Sequence, residues 1–171
     1  MQVVRLGDLA GISRFTNPQH PLTAPARSYS AARLVPVTML RGSCQCGGVR
    51  FEVPEGFENM SFCHCATCKK LSGGVGTANG RARTDSIRLL AGGDLVRTYQ
   101  PDEGTAKTFC SQCGSNLFGG GWPDSEFSSV RLSAIDSPFE GRPGAHIYVR
   151  SLASWETLPD DGLERFDVRG R

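Results

Sequence analysis

Seven cysteines lie at three places in the chain, as Cys44-x-Cys46, Cys63-x-Cys65-x-x-Cys68 and Cys110-x-x-Cys113. Thiols one or two residues apart are poor partners for ordinary disulfides, and in a reducing compartment such clusters bind metals or do redox chemistry. Zinc takes four thiolates in a tetrahedron at structural sites, commonly as two short-spaced pairs. The outer pairs supply four such ligands, Cys44, Cys46, Cys110 and Cys113, on glycine-rich corners written "CQCGG" and "CSQCGS". They read as a closed structural site that clamps the two ends of a β-sheet, with backbone amides turned toward the sulfurs. The trio Cys63, Cys65 and Cys68 is one ligand short of closure. Three protein ligands and one open position characterise a catalytic zinc, which can then take water, a substrate thiol or a carbonyl oxygen. The metal also lowers the pKa of a thiol bound there.

Two other readings of the trio stand beside this one: a second structural site closed by a distant His or Asp, and a metal-free redox cluster. His64 lies between two ligands and is expected to point away from their metal. His146 is the more reachable remote ligand, although a lone histidine opening a strand ordinarily packs or faces solvent. Lys69, Lys70, Arg81 and Arg83 could attract a substrate carboxylate, against the ordinary reading of a solvated surface. Trp122 and Trp155 could line a pocket, against the ordinary reading of core. Ser115 and Asn116, beside Cys113, are expected to serve turn geometry and hydrogen bonds around the sulfurs.

The elements that position these residues read as β. "GVRFEV" (48–53) alternates, with Val49, Phe51 and Val53 on one face and Arg50 and Glu52 on the other. "NMSFC" leads into the trio. Further short strands are predicted at 74–80, 86–90, 95–99, 105–109, after Cys113, at 127–135 and at 146–150, separated by turns such as "AGGD" and "PDEG". No long amphipathic helix is visible. The expectation is a mainly β domain of antiparallel sheets, sandwich-like or barrel-like, stapled by metal.

The chain of 171 residues is long enough for one domain with its own core. Apolar content is 39% and charged content 21%, and no run reaches the roughly 20 apolar residues of a membrane span. Residues 1–40 hold four arginines, one aspartate and four of the ten prolines, but no cysteine. The remaining 15 basic and 16 acidic residues give the cysteine-bearing part a net −1, which excludes the basic face that nucleic acid requires. No secretory signal is visible, and a reducing cytoplasm suits the free thiols. Residues 1–38 have three readings: an upstream start assignment with Met39 as the natural start, a disordered tail, or an organelle-targeting peptide. The corresponding division is an extension, disordered or misassigned, at 1–39 and a zinc-binding catalytic domain at 40–168.

"GSCQCGGVRFEV", "FCHCATCKKLSGG", "FCSQCGSNLF" and "HIYVRSLASWETLPDDGLERF" resemble the four landmarks of the glutathione-dependent formaldehyde-activating enzyme family. The resemblance runs from about Leu40 to Phe166 and takes in all seven cysteines in order; the N-terminal extension has no counterpart in it. It implies a β-tent fold and two zinc ions per chain. It assigns Cys44, Cys46, Cys110 and Cys113 to a structural zinc and Cys63, Cys65 and Cys68 to a catalytic one. The implied activity joins formaldehyde to glutathione as S-(hydroxymethyl)glutathione, a carbon–sulfur lyase reaction in reverse, with a small-molecule thiol and an aldehyde as partners. The competing expectation is a non-catalytic zinc module that binds a protein or small ligand. Methionine sulfoxide reduction is weaker, because it needs a nucleophilic cysteine beyond the seven already placed.

Overall fold

Alternation in the sequence is clearest at residues 49–53, and Val49, Phe51 and Val53 are all fully buried. They lie at and beside β2 (Arg50–Pro54), the middle strand of a three-stranded antiparallel sheet. Its neighbours are β1 (Met39–Ser43) and β5 (Arg88–Ala91). The computed structural model describes residues 38–169. The readings of residues 1–38 therefore concern a segment that lies, but for residue 38, outside the described residues.

A second sheet has eight strands: β3 (Met60–Cys63), β4 (Thr77–Arg83), β6 (Val96–Tyr99), β7 (Lys107–Cys110), β8 (Asn116–Gly119), β9 (Phe127–Arg131), β10 (Ala145–Ile147) and β11 (Glu164–Phe166). Their order across the sheet is β11-β10-β3-β4-β9-β8-β7-β6. The pairing is antiparallel except at one edge, where β10 runs parallel to both β3 and β11. The fold is thus mainly β with antiparallel sheets, as expected, and the parallel edge arises where a long connection from β9 brings β10 back beside β3. The single α-helix among the described residues, α1 (Ala66–Ser72), carries the last cysteine of the trio.

The core fills the space between the sheets. The Phe51 ring from the small sheet meets Phe118 of β8 edge-on, with centroids 4.9 Å apart. Leu40, Leu117 and Val130 close around them with almost no exposure. Fully burying one such side chain contributes roughly 1.5–3 kcal/mol. Trp122 lies against Phe118 at 4.7 Å and packs on this core, whereas Trp155 is 70% exposed and belongs neither to core nor to pocket.

Period-two alternation then decides what the other face of the large sheet presents. On β9, Ser128 and Val130 turn to the core, so Phe127, Ser129 and Arg131 turn away from it. On β4, Ala82 is core, so Thr77, Asn79 and Arg81 share that second face. Several strands differ in extent from the expectation. The strand foreseen at 74–80 begins only at Thr77, because Gly73 caps α1 in the left-handed region. That foreseen at 127–135 gives way to a 3-10 turn over Leu132–Ala134. That foreseen at 146–150 stops at Ile147, where Tyr148 takes φ 59°. Among the described residues no helix is long and apolar enough to cross a membrane.

Candidate active site

Cys44 and Cys46 sit on the loop that leaves β1, Cys110 ends β7, and Cys113 lies on the turn between β7 and β8. The four Sγ atoms lie within 4.8 Å of one another. The distances from Cys46 Sγ to Cys44 Sγ and Cys110 Sγ are 3.4 and 3.9 Å. A zinc ion with bonds of about 2.3 Å sets tetrahedral edges of about 3.8 Å, so the all-thiol donor set fits that ion. Gly47 and Gly114 take positive φ of 72° and 75° in the two corners. The turn brings the Val49 amide to 3.2 Å from Cys44 Sγ, and Ser115 Oγ stands 3.3 Å from Cys113 Sγ. The Ser115 hydroxyl and amide, with the Cys46 amide, bring the Cys113 thiol down to about 5. The cluster joins the small sheet to the large one, which corrects the expectation that it clamps two ends of one sheet.

The trio spans the end of β3 and the start of α1. Cys63 ends the strand and pairs with Thr77. Cys65 caps the helix, with Cys68 N 3.4 Å from its Sγ. All three Sγ atoms lie within 4.8 Å of one another, with Cys63 and Cys68 buried and Cys65 half-buried. Among the described residues no His, Asp or Glu joins them. Hydrogen bonds from Cys63 and Cys65, aided by the Arg131 charge, hold the Cys68 thiol far below the ordinary thiol range; the same crowding pushes Cys63 up. Three soft donors on one short turn fit a zinc ion with a position to spare.

A cavity of about 790 Å³ opens over the trio, on the face of the large sheet opposite the core. Asn79, Lys107 and Arg131 line it with the three cysteines. Arg131 donates from Nη1 to Thr77 Oγ1 at 3.3 Å and to Asn79 Oδ1. Burial pushes the Lys107 ammonium down, and the three thiols oppose that shift. Neither cation stood out in the sequence. The available signal was Arg131 falling in alternation with Phe127 and Ser129 while Val130 took the apolar face.

His64 does point away from the trio. Its Nδ1 lies 2.9 Å from the Val75 carbonyl and its Nε2 lies 2.9 Å from His146 Nδ1. His146 Nε2 is in turn 3.0 Å from Asp161 Oδ2, so His146 is engaged elsewhere and does not close the trio. Lys69 is neither free surface nor available to a substrate carboxylate, because its Nζ lies 2.5 Å from Glu156 Oε2 and donates to Ser151 O. Lys70 is exposed, as is Arg83, which pairs with Asp85 and Glu126. Arg81 lines the cavity but is bonded to Glu58 and lies over the Phe127 ring. Ser115 serves the four-sulfur cluster as expected, whereas Asn116 reaches across to Leu71 O at the end of α1.

Residues 39–151 match the family described as "Glutathione-dependent formaldehyde-activating enzyme". The chain belongs to this family. A relative from Halomonas elongata, provisionally named a glutathione-dependent formaldehyde-activating enzyme, is 33% identical over 137 residues, which cover 74% of this chain and 85% of the relative. One from Talaromyces marneffei with the same provisional name is 24% identical over 115 residues, covering 66% of this chain and 55% of the relative. The fold is shared with a crystal structure of a Rhodobacter sphaeroides protein, at 21% identity and a TM-score of 0.50 over 74% of this chain and 99% of the other. The family match contains all seven cysteines and His146 but ends before Glu156 and Asp161, the residues that anchor Lys69 and His146.

Proposed function

We propose that this member of the formaldehyde-activating family joins a small thiol of the glutathione type to formaldehyde, giving the S-hydroxymethyl adduct, at Cys63, Cys65 and Cys68. In this reading residues 40–168 form the catalytic unit, in a reducing cytoplasm that keeps the seven thiols free. Cys44, Cys46, Cys110 and Cys113 hold a structural zinc, and the trio holds a second. The observation that carries the reading is the trio itself: three clustered sulfurs, no fourth protein donor among the described residues, and a cavity in front of them.

When bound, the trio's zinc would stabilise a thiolate at neutral pH or polarise a carbonyl oxygen. The protein supplies the remainder. The cavity brings thiol and aldehyde together, and proximity alone removes much of the barrier to a bimolecular addition. The substrate thiol gives its proton to solvent as it enters. A carbon–sulfur bond forms, the carbonyl π bond breaks, and the charge passes from sulfur to oxygen, which takes a proton from solvent. Asn79 and Thr77 hold Arg131 on the cavity wall, and Lys107 lines the same cavity beside it.

Two-dimensional exchange NMR on the zinc-loaded chain with formaldehyde and glutathione tests this. The expected outcome is adduct formation faster than the spontaneous rate, lost in Cys65→Ser. No acceleration with two zinc ions bound would sink the proposed chemistry and turn the search to other thiols, other aldehydes or a binding partner.

A further inference from the structure

Two cations are buried on the cavity wall without an anion of their own. Arg131 is 3% exposed and Lys107 is 7% exposed. Among the described residues, no carboxylate lies within ion-pair distance of either. Arg131 Nη1 binds Thr77 and Asn79, but its Nε is buried with no hydrogen-bond partner. Lys107 Nζ donates to the Thr105 carbonyl at 2.5 Å and its hydroxyl at 3.1 Å, which accounts for two of three N–H bonds. Gly119 of β8 makes room for both: a Cβ there would stand 2.9 Å from Arg131 Nη2 and 3.4 Å from Lys107 Cδ. Buried charge is costly unless it is compensated, so this arrangement calls for an anion.

We propose that Arg131 and Lys107 are the counter-charges that make the trio's open position select an anionic ligand, a small thiolate, over a neutral one. The inference rests on the reading of the trio as a zinc site. A divalent ion among three thiolates leaves one negative charge, and two cations overshoot it by one. A thiolate entering from the cavity closes the balance. The balance persists through the addition, because the single negative charge moves from sulfur to oxygen within the same cavity. A neutral ligand in that place leaves one cation uncompensated. The cavity therefore favours the ionised substrate before any bond forms, which is electrostatic preorganisation on fixed side chains.

The test is isothermal titration calorimetry on the zinc-loaded full chain, with azide and 2-mercaptoethanol as ligands that bind as anions and imidazole as the neutral ligand. Lys107→Met and Arg131→Met are each expected to weaken azide and thiol binding about tenfold, the scale of losing one nearby charge in a partly screened site. Imidazole binding should hold, and Lys107→Arg should restore azide affinity. Equal losses for azide and imidazole, or no loss for either, would overturn the proposal. Thermal melts accompany each variant. If Arg131→Met does not fold, Lys107→Met and its arginine rescue decide alone. An intact azide preference in a protein that fails to accelerate adduct formation would sink the proposed reaction and leave charge selection standing. The reverse result would sink charge selection alone.

Discussion

His64 Nε2 lies 2.9 Å from His146 Nδ1, and the two rings form one chain from the Val75 carbonyl to the Asp161 carboxylate. A carbonyl only accepts, so His64 Nδ1 donates to it. A carboxylate also accepts, so His146 Nε2 donates to Asp161. The contact between the rings links these two hydrogen bonds into one chain, and burial disfavours charge on the His64 ring.

The first prediction concerns acid stability. The His146 N–H holds the Asp161 carboxyl below the usual carboxylate range, helped by the Leu163 amide. A carboxyl depressed on folding stabilises the protein above its unfolded pKa, near 3.9, and loses that contribution as the pH falls through its folded value. Asp161→Asn should therefore melt earlier than the parent at pH 6–7, with the gap closing below about pH 4. Melting curves from pH 3 to 7 measure this, and a gap independent of pH would refute the role assigned to the carboxylate.

The second concerns Lys69. Its partner Glu156 has a side chain with only 2% exposure, and that carboxylate also accepts from the Ala153 amide. Lys69→Met would leave the carboxylate desolvated and without its counter-ion, the costly way to break a pair. The expected result is a clearly lower melting temperature, with faster amide exchange confined first to residues 149–156. Lys70→Met, at an exposed position, should do neither. Equal effects from the two lysines would remove the argument.

Much of this was legible in the sequence, for physical reasons that differ by element. The buried face of β2 was readable because period two is a local property, and Val49, Phe51 and Val53 obey it. The grouping of the sulfurs was readable because two short-spaced pairs and one trio leave few ways to divide seven thiols. What escaped depends on contacts distant in the chain. Asp161 meets His146 and Glu156 meets Lys69 only after β10 returns beside β3, and nothing near Lys69 announces a partner 87 residues away. Arg131 and Lys107 escaped because a lone cation in a short strand is ordinarily solvent-facing, and only the sheet's second face makes it a cavity wall. That the four-sulfur cluster spans two sheets was equally a matter of topology.

The third prediction tests the core that unites those sheets. Phe51 is fully buried and meets the Phe118 ring at 4.9 Å. Phe51→Ala should cost about 3–5 kcal/mol, the sum of lost transfer energy and the cavity left behind. Combined with Phe118→Ala, the two losses should fall short of additivity by about 0.5–1.5 kcal/mol, as for rings in direct contact. Denaturant melts of the two single variants and the double variant measure the coupling, and strict additivity would show that the contact between the sheets contributes nothing of its own.

The last prediction separates the two cysteine clusters. Cys113 belongs to a group that joins the loop after β1 to the turn between β7 and β8, so a metal there is part of what folds the domain. Cys65 belongs to a group held within one short turn, which β3 and the hydrogen bonds of α1 shape by themselves. Cys113→Ser should bind one zinc ion fewer and lose cooperative melting. Cys65→Ser should also bind one fewer, yet melt cooperatively within a few degrees of the parent and lose adduct formation. A chelator added to the parent should remove first the zinc facing the cavity and abolish activity before the fold gives way. Zinc content by atomic absorption, read beside melting curves and the exchange assay, covers all three. Equal destabilisation by the two serine variants would show that the clusters do not divide structure from chemistry.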